Sequence, residues 1–343
     1  IEEHGPQRLL SLDEIPFYYD DMAGFENRIV YYESSRGCPF SCSYCLSSVD
    51  KRLRFRDIEL VKKELQFFLD HKVPQVKFVD RTFNCKHDHS IAIWKYIMEH
   101  DNGITNFHFE IAADILNEEE MELLEQMRPG LVQLEIGVQS TNPKTIKEIH
   151  RVMDFEKVSK IVRRIQDKGN VHEHLDLIAG LPGEDAADMQ DTLEKIEKLH
   201  PDSLTVHALA IKRAAKFGQE GRTMDPGTEI TQMVEAAAAS AERMGLVPYY
   251  LYRQKNIAGN FENVGYAEQD KAGVYNILIM EERQTIIACG AGSTTKLVLP
   301  EKIKTSSGKE TNLIRVENVK NIIEYIDRID EMIERKKVLF EKN

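Results

Sequence analysis

The sequence predicts an α/β fold: a partial (β/α)6 TIM-like barrel followed by a smaller α+β domain. Three observations predict it. From about residue 28, short β-rich runs alternate with amphipathic helical stretches, the pattern of parallel strands joined by crossover helices. Six such runs can be counted before the rhythm breaks near Lys212. The chain has 343 residues, 42% of them hydrophobic, enough apolar material for one large core and a second small one.

Taken in order, residues 1–27 read as an N-terminal linker. They lack the basic-then-apolar order of a signal peptide and an initiator methionine, so the expectation is a cytoplasmic chain, read as a fragment. Residues 28–215 form the expected barrel, with candidate strands at 28–33, 75–80, 106–112, 131–139, 172–179 and 203–211. Helix starts are marked by Asp57 before IELVKKELQFFLDH, Asn117 before EEEMELLEQM and Asp185 before AADMQDTLEKIEKLH, because a short polar side chain can accept from the free N–H groups of a first turn.

Residues 216–343 form the expected second domain. It opens on a Gly-rich break, continues with an alanine-rich helix at 229–244 and a β-like region at 249–299, and closes with the polar stretch KTSSGKETN and a helix at 317–340. That last helix carries a stripe of Ile322, Ile323, Ile326, Ile329 and Ile333.

Charge narrows the partners. With 45 Lys and Arg against 57 Asp and Glu, the net charge is −12, which repels a phosphate backbone and argues against nucleic acid. No segment is apolar and long enough to span a bilayer, so no membrane partner is expected.

Of the five cysteines, Cys38, Cys42 and Cys45 crowd into GCPFSCSYC with C-x3-C-x2-C spacing, directly after the first candidate strand. Three thiolates on a short loop can hold three irons of a four-iron cluster and leave the fourth open as a reaction site. A structural zinc site closes its shell with four ligands. Cys85 with His87 and His89 could complete one, but the spacing argues against it. Cys85 and Cys289 read as small core or loop residues. CGAGSTTK, residues 289–296, superficially resembles a phosphate loop but lacks its Gly-Lys-Ser/Thr spacing.

Period-two alternation gathers polar residues on one face of four strands: His108 and Glu110; Gln133, Glu135 and Gln139; His172, His174 and Asp176; Thr205 and His207. A lumen packed only for stability would be Val, Ile and Leu, so this face points to a polar ligand.

The cysteine motif, with Tyr44 as its aromatic, resembles that of radical S-adenosylmethionine (radical SAM) enzymes. The resemblance implies a [4Fe-4S] cluster on Cys38, Cys42 and Cys45 and S-adenosyl-L-methionine chelating the open iron, with an external electron donor. It further implies that Asp80, at the end of the second strand, meets the methionine amino group. Compared with oxygen-independent coproporphyrinogen III oxidases, the chain keeps Glu110, Gln139, Arg151 and the D-L-I-x-G-L-P run of Asp176 to Pro182. By that similarity Glu110 and Asp176 hold the ribose hydroxyls, Gln139 and Arg151 bind the methionine carboxylate, and Gly180 and Leu181 let the backbone approach the adenine. Carboxylates accept paired hydroxyl donors and guanidinium clamps a carboxylate at two points, which agrees with these roles.

Up to about residue 175 the sequence is similar to radical SAM proteins that carry a cobalamin-binding domain. From about His174 it is similar to the HemZ-like coproporphyrinogen dehydrogenase group, through LDLIAGLPGED and the run from YYLYRQKN to GAGSTTK. That second resemblance implies oxidative decarboxylation of a porphyrinogen in haem biosynthesis and a tetrapyrrole as small-molecule substrate. Tyr249, Tyr250, Tyr252, Arg253 and Lys255 would offer it stacking surface and cations. Two other functions fit the same cysteines: a cobalamin-type radical methyltransferase or rearrangement enzyme, and a haem-binding chaperone of the same family group. The H-I-P-F-C run of the oxidases is replaced by S-S-R-G-C here.

Overall fold

A computed structural model describes residues 10–25, 28–49, 51–223, 229–253, 257–305 and 308–341. The chain divides into two compact units, Ile1–Ala272 and Gly273–Asn343.

The first unit is built on a mostly parallel sheet. Its parallel strands are β1 (Ile29–Tyr32), β4 (Gln75–Phe78), β5 (Asn106–Ile111), β6 (Val132–Gln139), β7 (His172–Ala179) and β8 (Ser203–Ala208), hydrogen-bonded in that order. A two-residue ladder between β2 (Ser35–Arg36) and β3 (Arg54–Phe55) closes the loop after β1. This is the expected α/β, TIM-like arrangement of six parallel strands.

The crossover helices are α1 (Ile58–Asp70), α2 (His87–Glu99), α3 (Glu118–Gln126), α4 (Pro143–Glu148), α5 (Phe155–Lys168) and α6 (Ala186–Leu199). Asp57, Asn117 and Asp185 cap α1, α3 and α6 as the sequence predicts, each accepting backbone N–H bonds from the first turn. The helices bury one face of the sheet. Phe78, Phe83, Trp94 and Phe109 are fully buried, and the Phe109 ring lies 4.3 Å from Phe83 and 4.5 Å from Phe78. Phe107, Leu134, Leu175 and Leu204 belong to the same core, so alternate residues on these strands are left to face the other side.

The sequence reading ends the barrel at residue 215, but the sheet continues. After the short helix α7 (Lys216–Gln219) comes α8 (Glu229–Arg243), which packs on α6 and β8. Strands β9 (Val247–Tyr252) and β10 (Asn263–Ala267) then extend the sheet, with β10 antiparallel to β8 and β9 antiparallel to β10. The backbone groups along the free edge of β8 are satisfied by this hairpin, which is why residues 229–267 belong to the first unit.

The second unit contains α9 (Val274–Met280), a hairpin of β11 (Thr294–Lys304) and β12 (Glu310–Glu317), and helices α10 (Ile322–Asp327) and α11 (Ile329–Glu341). The single helix expected at 317–340 therefore starts later and is split at Arg328, because its first residue ends a strand and Asn321 caps the helix start. Of the polar stretch KTSSGKETN, residues 306–307 lie outside the described residues, and the rest joins β11 to β12, with Thr305 N–H donating to Lys309 O at 2.9 Å. Among the described residues no helix is long and apolar enough to cross a membrane.

Candidate functional site

The loop after β1 is fixed before any ligand is considered. Gly37 has φ +101°, and a Cβ there would sit 2.5 Å from Arg52 O, so only glycine delivers the chain into Cys38. Between the second and third cysteines, Ser43 N–H donates to Ile149 O at 2.9 Å and Ser43 O accepts from Phe217 N–H at 3.0 Å. The Ser43 hydroxyl also meets His150 Nδ1 at 2.9 Å. Tyr44 packs against a small apolar cluster that includes Ile146, Ile149, Leu181 and Phe217. The aromatic of the motif is thereby an anchor for the loop.

Cys38, Cys42 and Cys45 are free thiols and line one cavity of about 190 Å³. Tyr44, Glu110, Gln139, Arg151 and Asp176 line it too, so residues spread over more than 130 positions of sequence converge on one cavity. The convergence follows from topology: the cysteines and Tyr44 lie in the loop after β1, Glu110, Gln139 and Asp176 on neighbouring strands, and Arg151 between α4 and α5 in the crossover after β6.

Arg151 and Gln139 are held in uncommon ways. Arg151 Nη2 donates to Gly137 O, and Nη1 stands 3.8 Å from Cys42 Sγ. Its Nε is buried with no hydrogen-bond partner among the described residues. Gln139 has φ 72°, left-handed for a non-glycine, where the β6–β7 register slips between Gly137 and Gln139. A Cβ at Gly137 would lie 2.5 Å from Gln139 Nε2, so this glycine leaves the room that the glutamine occupies. The Cys42 thiol is pushed up by burial, with the Arg151 guanidinium opposing.

The carboxylates sit in a network on the inner face of the sheet. Asp176 Oδ1 is 3.3 Å from His174 Nε2 and 3.4 Å from His207 Nε2. Burial pushes Asp176 up, but these two imidazoles outweigh it and hold its carboxyl below the usual range. His174 Nδ1 reaches Ser203 Oγ at 2.7 Å, and Thr205 Oγ1 lies 2.7 Å from His174 Nε2 and 3.0 Å from Tyr250 OH. Tyr250 thus carries the inner polar face on to β9. Lys255 lies outside the described residues, and Arg253 is paired with Glu262.

Three residues singled out in the sequence stand elsewhere. Asp80 is fully buried and accepts from Ser34 N at 2.8 Å, Ser34 Oγ at 2.7 Å and Ser35 Oγ at 2.6 Å. It ties the loop after β1 to the end of β4 and does not line the cysteine cavity. Burial pushes its carboxyl up to about 6 against those hydrogen bonds. Gly180 and Leu181 line a different cavity of about 490 Å³, together with Glu184, Leu209 and Ile230.

Sequence reasoning passed over Lys77. It is buried on the inner face of β4, with Nζ 3.0 Å from Glu135 Oε2. The signal was present as a lone cation inside the apolar run VKFV, a position that burial forbids unless an acid faces it. The donors of the zinc alternative are committed elsewhere: His87 Nδ1 to Glu120 at 2.9 Å and His89 Nε2 to Ser34 Oγ at 3.1 Å. Among the described residues, no three His, Cys, Asp or Glu side chains are grouped to hold one metal ion.

Residues 32–196, which carry the cysteine loop, Asp176 and the cavity between them, match the family model of the Radical SAM superfamily. The first unit holds a radical SAM domain. The cofactors of this superfamily are a [4Fe-4S] cluster and S-adenosylmethionine. The chain is 38% identical over 237 residues to the oxygen-independent coproporphyrinogen-III oxidase-like protein HemZ of Bacillus subtilis (strain 168), covering 67% of this chain and 45% of that protein. It therefore spans less than half the length of that relative. Among solved structures, coproporphyrinogen III oxidase (HemN) from Escherichia coli is similar in fold, with a TM-score of 0.54 at 15% identity over 88% of this chain and 69% of that one. The radical S-adenosylmethionine methyltransferase TsrM from Kitasatospora setae gives a TM-score of 0.53 at 18% identity over 76% of this chain and 52% of that one.

The residues present fit the superfamily's cofactors. Three free thiols share one cavity, which suits one thiolate on each of three irons. The buried Arg151 Nε is a donor in want of an acceptor, as a methionine carboxylate would be.

Proposed function

We propose that this radical SAM enzyme oxidatively decarboxylates the propionate side chains of a porphyrinogen such as coproporphyrinogen III. The observation that carries the radical half of the reading is the single cavity in which Cys38, Cys42 and Cys45 meet Arg151, Glu110 and Asp176. The similarity to the HemZ oxidase-like protein supports the substrate half.

Cys38, Cys42 and Cys45 would hold three irons of a cluster that, when bound, would supply the electron for reductive cleavage of S-adenosylmethionine. Arg151 and Gln139 take the methionine carboxylate. Glu110 and Asp176 accept the ribose hydroxyls, Asp176 being kept ionised by His174 and His207. Asp80 acts one step back, holding the loop after β1 through Ser34 and Ser35. Each propionate would lose one hydrogen atom, which ends up in 5′-deoxyadenosine. It would also lose carbon dioxide and one electron to an external acceptor, leaving a vinyl group.

The test is anaerobic reconstitution with iron and sulfide, then product analysis with S-adenosylmethionine, a reductant and coproporphyrinogen III, beside a Cys42→Ala control. Cluster absorbance, 5′-deoxyadenosine and a decarboxylated porphyrinogen are expected from the wild type, and none of the three from the variant. Cluster and 5′-deoxyadenosine without a porphyrin product would overturn the substrate and keep the radical chemistry.

A further inference from the structure

Glu110 and Glu135 are register partners across the parallel β5–β6 ladder, so the fold sets two carboxylates side by side on the inner face. Like charges so placed repel, and more strongly the less water they see. Lys77, 4% exposed, reaches both from β4: its Nζ is 3.0 Å from Glu135 Oε2 and 3.7 Å from Glu110 Oε1. His108, the register partner of Lys77, puts Nε2 3.0 Å from the same Glu135 oxygen. Both glutamates line the cysteine cavity, but among the described residues Glu135 has two close donors whereas Glu110 has one longer contact and so keeps more hydrogen-bonding capacity for that cavity.

We propose that Lys77 is a positioning residue that divides this carboxylate pair, locking Glu135 as its own counter-ion and leaving Glu110 to accept the ribose hydroxyls of S-adenosylmethionine. The inference rests on the reading above that Glu110 faces that ribose. The charged groups around Glu110 are Lys77 on β4, Arg81 just after it, Glu135 on β6 and Asp176 on β7. Burial and Glu135 push the Glu110 carboxyl up to about 7, while Lys77 and Arg81 oppose them. Burial likewise pushes Glu135 up, but there Lys77 and His108 outweigh it and hold its carboxyl well below the usual range. Without Lys77, Glu110 would hold its proton to a higher pH than it does now, and a protonated carboxyl offers one acceptor oxygen fewer to a diol.

The experiment is equilibrium binding of S-adenosylmethionine to the anaerobically reconstituted protein, with thermal unfolding measured in parallel. Lys77→Met should weaken binding at pH 7 by about fivefold, the fall in ionised fraction when a carboxyl near 7 rises by one unit. The defect should shrink towards pH 9, where Glu110 ionises again. Lys77→Arg should restore part of the affinity. Adding Glu135→Gln to Lys77→Met should restore most of it, since the repelling partner is gone.

A Lys77 that only holds the sheet together predicts the reverse: a pH-independent loss that the second substitution deepens. That result, or unchanged binding in Lys77→Met, overturns the proposal. If Lys77→Met does not fold, Glu110→Gln against Glu135→Gln decides: a loss of about tenfold in the first and a much smaller one in the second are expected, and equal losses overturn it. A wild type that takes up its cluster but binds no S-adenosylmethionine would overturn the cofactor contacts themselves, a failure distinct from these.

Discussion

In the first unit, Lys77, His108, Glu110 and Glu135 lie within 3.7 Å of one another's charged atoms along the network, on the inside of a sheet. In the second unit, Glu282 pairs with Lys296 at 3.0 Å and Arg315 at 2.8 Å, but these cations are 25% and 50% exposed where the Lys77 side chain is 5% exposed. The apolar surface is arranged in the opposite sense: Phe109 is fully buried in the first unit, whereas Ile326 on α10 is 63% exposed in the second. The contrast separates two uses of the same residue types. A charge held out of water acts strongly on its neighbours, and a charge on a hairpin face is screened. Chemistry is therefore expected where the backbone is fixed by a buried face behind it.

The largest effect that sharpens this comparison is on the buried face. Phe109 touches Phe78 and Phe83 at ring distances of 4.5 and 4.3 Å and backs the strand that carries Glu110. Phe109→Ala should cost about 3–5 kcal/mol of stability, the range for a large aromatic removed from a close-packed core. Urea unfolding measures it. A loss below about 1 kcal/mol would mean that the site's platform is less tightly packed than its burial implies.

Much of this platform was legible in the sequence. The caps at Asp57, Asn117 and Asp185 are local chemistry, and the cysteine motif and the period-two polar faces survive without knowledge of the fold. What was not legible depends on partners distant in sequence. The family resemblance gave Asp80 the methionine amino group, yet Ser34 and Ser35 hold its carboxyl. Lys77, a lone cation inside the apolar run VKFV, drew no reading from the sequence because its partner Glu135 stands 58 residues on. Strands β9 and β10 had the right composition, but only pairing with β8 assigns them to the first unit. Gln139 was placed on the inner face by period alone, and the register slip that gives it a left-handed backbone leaves no mark in the pattern.

An intermediate effect concerns a buried acid that takes no part in the cavity. Glu173, on β7, is 1% exposed, and its Oε1 accepts from Gln166 Nε2 at 2.7 Å. Burial and the nearby Asp202 push its carboxyl up to about 8. The folded state therefore binds this proton more tightly than the unfolded chain does. The contribution of Glu173 is most favourable below the ordinary glutamate range and is lost as pH rises from about 4.5 to about 8. Glu173→Gln removes that slope. The variant should match the wild type near pH 5 and exceed it at pH 8 to 9 by on the order of 1 kcal/mol. Parallel melting curves across that range check it, and curves that keep a constant separation would break the assignment.

The smallest effect tests the second unit. Ile322, Ile323 and Ile326 are each more than 60% exposed, and α10 has no buried residue among them. Ile326→Ser removes apolar surface that folding does not hide, so unfolding should change by no more than about 0.5 kcal/mol and solubility should improve. The same change made in the first unit's core would remove a fully buried side chain and cost several times more. If Ile326→Ser instead destabilises the protein by more than about 1 kcal/mol, the stripe is covered in solution, and the contrast between a packed unit and an open one fails at this helix. Sedimentation of the two proteins then separates the causes. A wild type that self-associates through the stripe becomes monomeric in the variant, whereas cover from within the chain leaves the oligomeric state unchanged.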